Sequence, residues 1–424
     1  MPIPPPASPW RSADFRTLFA ASTLSQLGTN AGYVAVPLTA VVALDADPGE
    51  VGALATLSTL AFLLIGLPAG AWVDRMRQRT VLVGADLARA VLFASVPLAW
   101  WTGTLTLGQL YAVVLLGGCA TVFFDVGSQS TLPRLVDRAA LVPANTAMVG
   151  LQAAGTIAGR GVGGALVQLL TAPAAVLCAS LTYFASAVQL AFLRSDDTAP
   201  APVRGTPLRA QIAEGLRHVF GNPELRALAL TAALTNLGMQ SVNTMLPILF
   251  VRELRLPETA LGVFWAAGGV GLLVGARCAR PLAGRLGYGR TLGLAGAALA
   301  PAGLLVPLID RGPWLWLAGA GWMLALFKTG MDNVLGVSLR QRMTSDDLLG
   351  RMNATFRFVL TGSLAIGAAL SGLIGELAGV RAALWLGGAL IAVAFLPVFL
   401  SPVRSRRGLP SQRTASGVRA PAPK

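Results

Sequence analysis

Charge is scarce in this chain, and so are the residues that most often carry covalent or metal chemistry. Only 12% of the 424 residues are charged and 54% are hydrophobic, whereas soluble domains carry about 25% charge. That is too little polar surface to cover a water-soluble globule. The one histidine, His218, has no companion at ligand spacing, so a zinc-type site lacks its parts. Cys119, Cys178 and Cys278 are odd in number and widely separated. They read as small apolar filler, and neither a disulfide nor a metal site is expected. No glycine-rich loop ends in Lys-Ser or Lys-Thr, which excludes a phosphate-binding loop and ATP hydrolysis through it. No nucleophile–base pair stands out, so the chain does not read as an enzyme, and no cofactor is expected.

What the chain has instead is apolar runs of about 20 residues, the length that crosses a hydrocarbon core. Twelve recur, roughly at 16–43, 50–73, 81–101, 105–126, 146–170, 173–193, 226–250, 259–277, 291–309, 313–336, 353–376 and 380–400. They do not alternate as the strands of a membrane barrel do, so an all-α integral membrane fold of twelve transmembrane helices is expected. The opening MPIPPPASPWRSADF has neither an apolar core nor a cleavage pattern, and the first span is expected to be retained. The net charge of +14 invites a nucleic-acid reading, but its placement argues against one. With the N-terminus inside, the outward loops hold only Arg252, Arg255, Arg311 and Arg381 of the 33 basic residues. This bias predicts a multi-pass protein of the inner membrane with both termini cytoplasmic.

Polar residues that enter the spans follow a pattern. The stretch TLSQLGTNAGYVAVPL at 23–38 returns as ALTNLGMQSVNTMLPI at 233–248, an offset of 210 residues. Gln26, Asn30 and Tyr33 stand at i, i+4, i+7 and share one helix face, and Asn236, Gln240 and Asn243 share the corresponding face. Pro37 and Pro247 correspond too and predict a kink in each helix. Ser130, Arg134, Leu141 and Asn145 match Ser338, Arg342, Leu349 and Asn353 at an offset of 208. The chain therefore divides into parallel six-helix halves at 1–193 and 226–403, with a binding site expected near the midplane. Matching polar stripes suit a central cavity; the alternative is interhelical hydrogen bonding worth ~0.6 kcal/mol per residue. Cavity lining is preferred because each stripe repeats whole. In the linker, 194–225, Leu208, Ile212 and Leu216 lie opposite Arg209 and Arg217, which predicts an amphipathic helix on the inner leaflet. The basic, low-complexity tail at 404–424 is expected to be disordered.

Several phrases carry a family resemblance. GAWVDRMRQR at 70–79 is similar to the loop motif between the second and third spans of the major facilitator superfamily. FRTLFAASTLSQLG, FFDVGSQSTLPRLV and GRMNATFRF resemble its enterobactin-exporter and macrolide-efflux branch. The resemblance covers nearly the whole chain. It implies a monomeric transporter of a small-molecule substrate, with the bilayer as its other partner. It also implies a cytoplasmic gate at Gly70, Asp74, Arg75 and Arg79, joined by Asp125. Two features depart from the pattern: Arg77 replaces the usual turn glycine, and Arg160 stands where antiporters often carry proline.

Charges inside the spans bear on mechanism. An uncompensated charge at mid-membrane costs about 2.5–3.5 kcal/mol on the mildest scale. Asp86 and Arg89, at i, i+3, and Lys328 and Asp332, at i, i+4, either pair locally or serve a cavity. Arg160 has no local acid, and with Lys328 it suits an anionic or acid-bearing substrate. Asp86 is the preferred proton carrier, because the first span has no acid before Asp45, and Asp332 is the second candidate. Phe123, Phe124, Trp265, Trp322 and Phe327 are available for apolar contact. The function expected is proton-driven export of an amphipathic organic compound such as a siderophore, a drug or a secondary metabolite. The alternatives are an importer of small organic anions with the same fold, and a membrane scaffold or sensor that transports nothing.

Overall fold

The computed structural model describes residues 8–73, 76–137, 140–193, 208–345, 348–406 and 408, and every regular element among them is helical. Helix α1 (Ala13–Leu38) starts where the Ser12 hydroxyl accepts the Phe15 amide at 3.2 Å, and α4 (Leu107–Leu135) where Thr106 accepts from Gln109. Such caps satisfy amides that a helix start leaves open. Between them run α2 (Pro48–Val73) and α3 (Gln78–Trp101), and after them α5 (Leu141–Leu170) and α6 (Ala172–Ala191). Helix α7 (Leu208–Gly221) precedes α8 (Pro223–Ile248), whose first amides are capped by Asn222. The chain continues through α9 (Glu258–Leu286), α10 (Tyr288–Leu299, prolonged by 3-10 turns at Ala300–Leu308) and α11 (Pro313–Arg342). It ends in α12 (Leu349–Ala378), α13 (Val380–Val393) and the short α14 (Leu396–Phe399).

Among the described residues eight stretches are long and apolar enough to cross a membrane: α2, α3, α4, α6, α9, α10 with its extension, α12, and α13 with α14. Helices α1, α5, α8 and α11 match them in length but are more polar, and these four carry Gln26, Arg160, Asn236 and Lys328. Along α3 a charged pair is buried among apolar neighbours such as Leu82 and Phe93, while apolar side chains also face outward. Asp86 and Arg89 are buried, while Leu87, Val91 and Leu98 are exposed. That pattern suits a lipid solvent, in which charges must be kept inside and apolar side chains can be left outside.

The chain packs as two compact units. The first comprises Met1–Val203, Thr244–Ala266 and Gly372–Val380. Its core gathers Phe15, Leu18, Leu82, Phe124 and Leu190. Helix α6 lies against α3 through a Ser180 hydroxyl bond to the Ala90 carbonyl at 2.7 Å. Helix α5 presses glycines onto α1: a Cβ at Gly159 would come within 2.6 Å of Asn30, and one at Gly163 within 3.1 Å of Ala31. The later segments join this unit through close contacts, Gly164 with Gly262 and Gly372 with Gly52, and through the Arg252–Asp45 ion pair at 2.7 Å.

The second unit comprises Arg204–Asn243, Ala267–Ser371 and Arg381–Lys424. Val219, Leu225, Met331, Leu335 and Phe356 anchor its core. Helices α9 and α11 meet backbone to backbone, since a Cβ at Gly330 would strike the Leu272 carbonyl. Helix α7 is held by an ion pair from Glu214 to Arg351 and by His218 against Thr344, while Ile212 and Leu216 are partly exposed. The remaining linker residues, 194–207, and the tail residues 409–424 lie outside the described residues. Arg406 does not belong to a loose tail. It clasps Glu224 through two bonds of 2.5 and 2.8 Å, fixing the end of the chain to the start of α8.

Pro37 and Pro247, the two prolines expected to kink their helices, lie inside α1 and α8 just before a change of helix type. Helices α1 and α8 both pass into a π-helical turn, at Thr39–Ala43 and Leu249–Glu253. Each turn then ends in a left-handed residue, Asp45 (φ 53°) or Arg255 (φ 48°). One bond recurs in both corners, Ala46 N to Ala40 O and Leu256 N to Phe250 O.

Candidate functional site: a charged cavity and two arginines stacked on aromatic rings

The second unit holds a cavity of about 210 Å³ lined mainly by α8, α11 and α12, with Leu292 of α10 and Val398 of α14 also contributing. Helix α11 supplies its polar wall because Lys328, Asp332, Gly336 and Arg340 recur every four residues and so share one face. Lys328 is 4% exposed and pairs with Asp332, whose carboxylate keeps a partly open side. Thr231, Thr235 and Asn236 line the facing wall from α8. The Asn236 amide donates to the Ala232 carbonyl at 2.8 Å, which leaves its oxygen available to the cavity. Leu228, Phe356 and Leu360 make the wall apolar elsewhere. A chamber with fixed charges and greasy sides fits an amphipathic guest.

The first unit treats its ion pair differently. Asp86 is fully buried and Arg89 is 1% exposed, and the two are paired along α3. Ser186 of α6 stands 2.5 Å from one Asp86 oxygen, and the Ser25 hydroxyl of α1 lies 3.3 Å from the other. Arg89 donates to Ser25 at 2.9 Å and is sandwiched by the rings of Phe124 and Tyr183 at 4.6 and 4.5 Å. Four helices thus close around one pair.

Arg160 occupies a third setting. Its guanidinium lies 4.2 Å over the ring of Tyr33, which in turn meets the edge of buried Trp265 at 5.2 Å. Cation–π attraction of this kind favours a cation by about 0.5–2 kcal/mol, depending on how far it is withdrawn from water. Its Nε is buried and makes no hydrogen bond among the described residues.

The expected site residues therefore fall into groups. Asn236, Lys328 and Asp332 share the second-unit cavity. Gln26, Asn30 and Tyr33 lie along α1 beside the glycine face of α5, with Asn30 buried at 7% exposure and Arg160 over Tyr33. Gln240 and Asn243 sit half-buried on α8 and do not line that cavity. Of the expected gate, Gly70 lies in α2, Asp125 is half-buried in α4, and Arg79 bonds the Ala191 carbonyl that ends α6. Asp74 and Arg75 lie outside the described residues. Arg340, Thr231 and Thr235 are cavity residues that the sequence reading missed. The four-residue spacing of Arg340 from Asp332 through Gly336 was the available signal.

Comparison with known proteins gives one family. A model described as transmembrane secretion effector matches residues 5–417. The chain is 28% identical over 412 residues to the enterobactin exporter EntS of Escherichia coli, covering 95% of each chain. It is 30% identical over 232 residues to the multidrug efflux pump Tap of Mycolicibacterium fortuitum, covering 53% of this chain and 56% of that one. The nucleoside transporter NupG superposes with a TM-score of 0.74 at 13% identity, over 91% of this chain and 99% of that one, a likeness of fold.

Proposed function

Since the chain belongs to the transmembrane secretion effector family of major facilitator transporters, we propose that it is a secondary active exporter of an amphipathic organic compound. A siderophore, a drug or a secondary metabolite fits that description. In this reading twelve helices form two six-helix halves in the inner membrane, with both termini cytoplasmic. The halves alternate access to their cargo, and the proton gradient drives them. The observation that carries the reading is the cavity in which Asn236 and the Lys328–Asp332 pair face apolar walls. The relatives named for export of enterobactin and of multiple drugs support the direction.

Asp332 is the better placed proton carrier of the two candidates. It sits on a cavity wall with one charged partner, so a proton can reach it and release Lys328. Asp86 is enclosed by Arg89, Ser25 and Ser186 and would have to break that enclosure to titrate. Proteoliposomes preloaded with protons provide the test, with ethidium and 8-anilino-1-naphthalenesulfonate as cationic and anionic probes. A pH step should drive uphill movement of at least one probe, and an uncoupler should abolish it. Uphill movement that survives the uncoupler would remove proton coupling; no movement of any probe in either direction would remove the transporter reading for these cargo classes.

A further inference from the structure

Two donors on the cavity wall have no partner among the described residues. Thr231 is 6% exposed, and its hydroxyl makes no hydrogen bond. Arg340 has a buried Nε that is also unbonded, and its guanidinium lies 4.4 Å over the ring of Phe356. No carboxylate pairs with Arg340 among the described residues, whereas Lys328 on the same face is held by Asp332. Buried polar groups normally find partners, and each one left open needs a reason. Here the open groups line a chamber with room for a ligand. Arg340 stands twelve residues from Lys328, about 18 Å along the helix. Gly336 keeps the path between them clear, for a Cβ there would meet nothing nearer than Leu228 at 3.8 Å.

We propose that Arg340 is an anion anchor of this cavity, and that the cargo is an amphipathic organic acid. A planar guanidinium takes a carboxylate or sulfonate through paired N–H donors, and stacking on Phe356 fixes the plane in which they point. The Thr231 hydroxyl bonds a second oxygen of the same ligand. Its apolar body lies along Phe356 and Leu360, toward the Lys328–Asp332 pair. This assignment rests on the transporter reading and adds the substrate class. The same anion chemistry is offered by the headgroup of an acidic lipid, so the experiment separates the two sources.

The probes are 8-anilino-1-naphthalenesulfonate and N-phenyl-1-naphthylamine, which differ by the sulfonate alone. Binding is measured by equilibrium dialysis on the full chain in phosphatidylcholine nanodiscs, with empty discs subtracted. The parent should favour the sulfonate. Arg340→Gln should weaken the sulfonate about tenfold, a loss of the size expected for one charge-assisted contact, and leave the amine unchanged. Arg340→Lys should recover part of the loss. Thr231→Val, close in shape, should weaken the sulfonate by a smaller factor and guards against misfolding of the arginine variants. Discs containing phosphatidylglycerol form the second arm. Loss of sulfonate binding there, in the parent but not in Arg340→Gln, keeps the anion anchor and assigns its occupant to lipid. Equal sulfonate binding by parent, Arg340→Gln and Thr231→Val overturns the proposal. Uphill ethidium movement in proteoliposomes is read separately, so the anchor can fail while the transporter reading stands.

Discussion

Asp86–Arg89 and Lys328–Asp332 look alike on paper: an acid and a base one helical turn apart, each within a single long helix. Their surroundings make them opposites. The first pair is walled in by serines from α1 and α6 and by two aromatic rings, so both charges are compensated within the protein. The second sits on a cavity wall beside Asn236 and Arg340, which has no carboxylate partner among the described residues, and one side of its own carboxylate is open. Spacing creates a pair; what the other helices bring to it decides whether it is a staple or a moving part. A buried pair enclosed in this way loses much when one partner is removed, whereas a half-open pair can exchange partners.

The difference can be broken by mutation, starting with the sealed pair. Asp86→Ala should strand a buried arginine and lower stability by about 3–5 kcal/mol, seen as a lower melting temperature and a smaller folded yield in detergent. Replacing both Asp86 and Arg89 by leucine should recover most of that loss. A single variant as stable as the parent would mean that the enclosure does not matter. The open pair should respond in function instead. Asp332→Asn should fold normally and lower proton-driven uphill transport by about 5–150-fold, the usual range of coupling between two sites. Downhill movement of the same probe should continue. A third pair sets the lower end of the scale. Arg252 meets Asp45 where the aspartate is 94% exposed. Arg252→Gln should leave the melting temperature within error, and a drop comparable to that of Asp86→Ala would show that exposure is a poor guide in this protein.

Helix positions, the two in-helix pairs and the repeated stripes were legible in the sequence because each depends on local spacing. The enclosure of Asp86 was not, because Ser186 lies 100 residues away. Arg340 was hidden for another reason. Hydropathy ends the tenth span near residue 336, yet α11 continues to Arg342 and carries the arginine onto the cavity wall. Read as a loop residue, it was one more positive charge on the inner side. The loose tail met the same limit: composition suggested disorder from residue 404, but Arg406 has a carboxylate waiting at the start of α8. Tyr33 could be placed on a stripe from its spacing, but not beneath a guanidinium that approaches from α5.

The polarity of α1, α5, α8 and α11 also constrains biogenesis. A segment leaving the translocon alone is accepted by its own hydropathy, and a central Arg, Lys or Asp counts against it by about 2.5–3.5 kcal/mol. These four helices are the ones outside the apolar set. In the chain each is followed by a member of that set, α2, α6, α9 and α12 respectively. Under the twelve-helix topology proposed above, each polar helix thus has an apolar successor directly behind it, with which it can enter the bilayer as a pair.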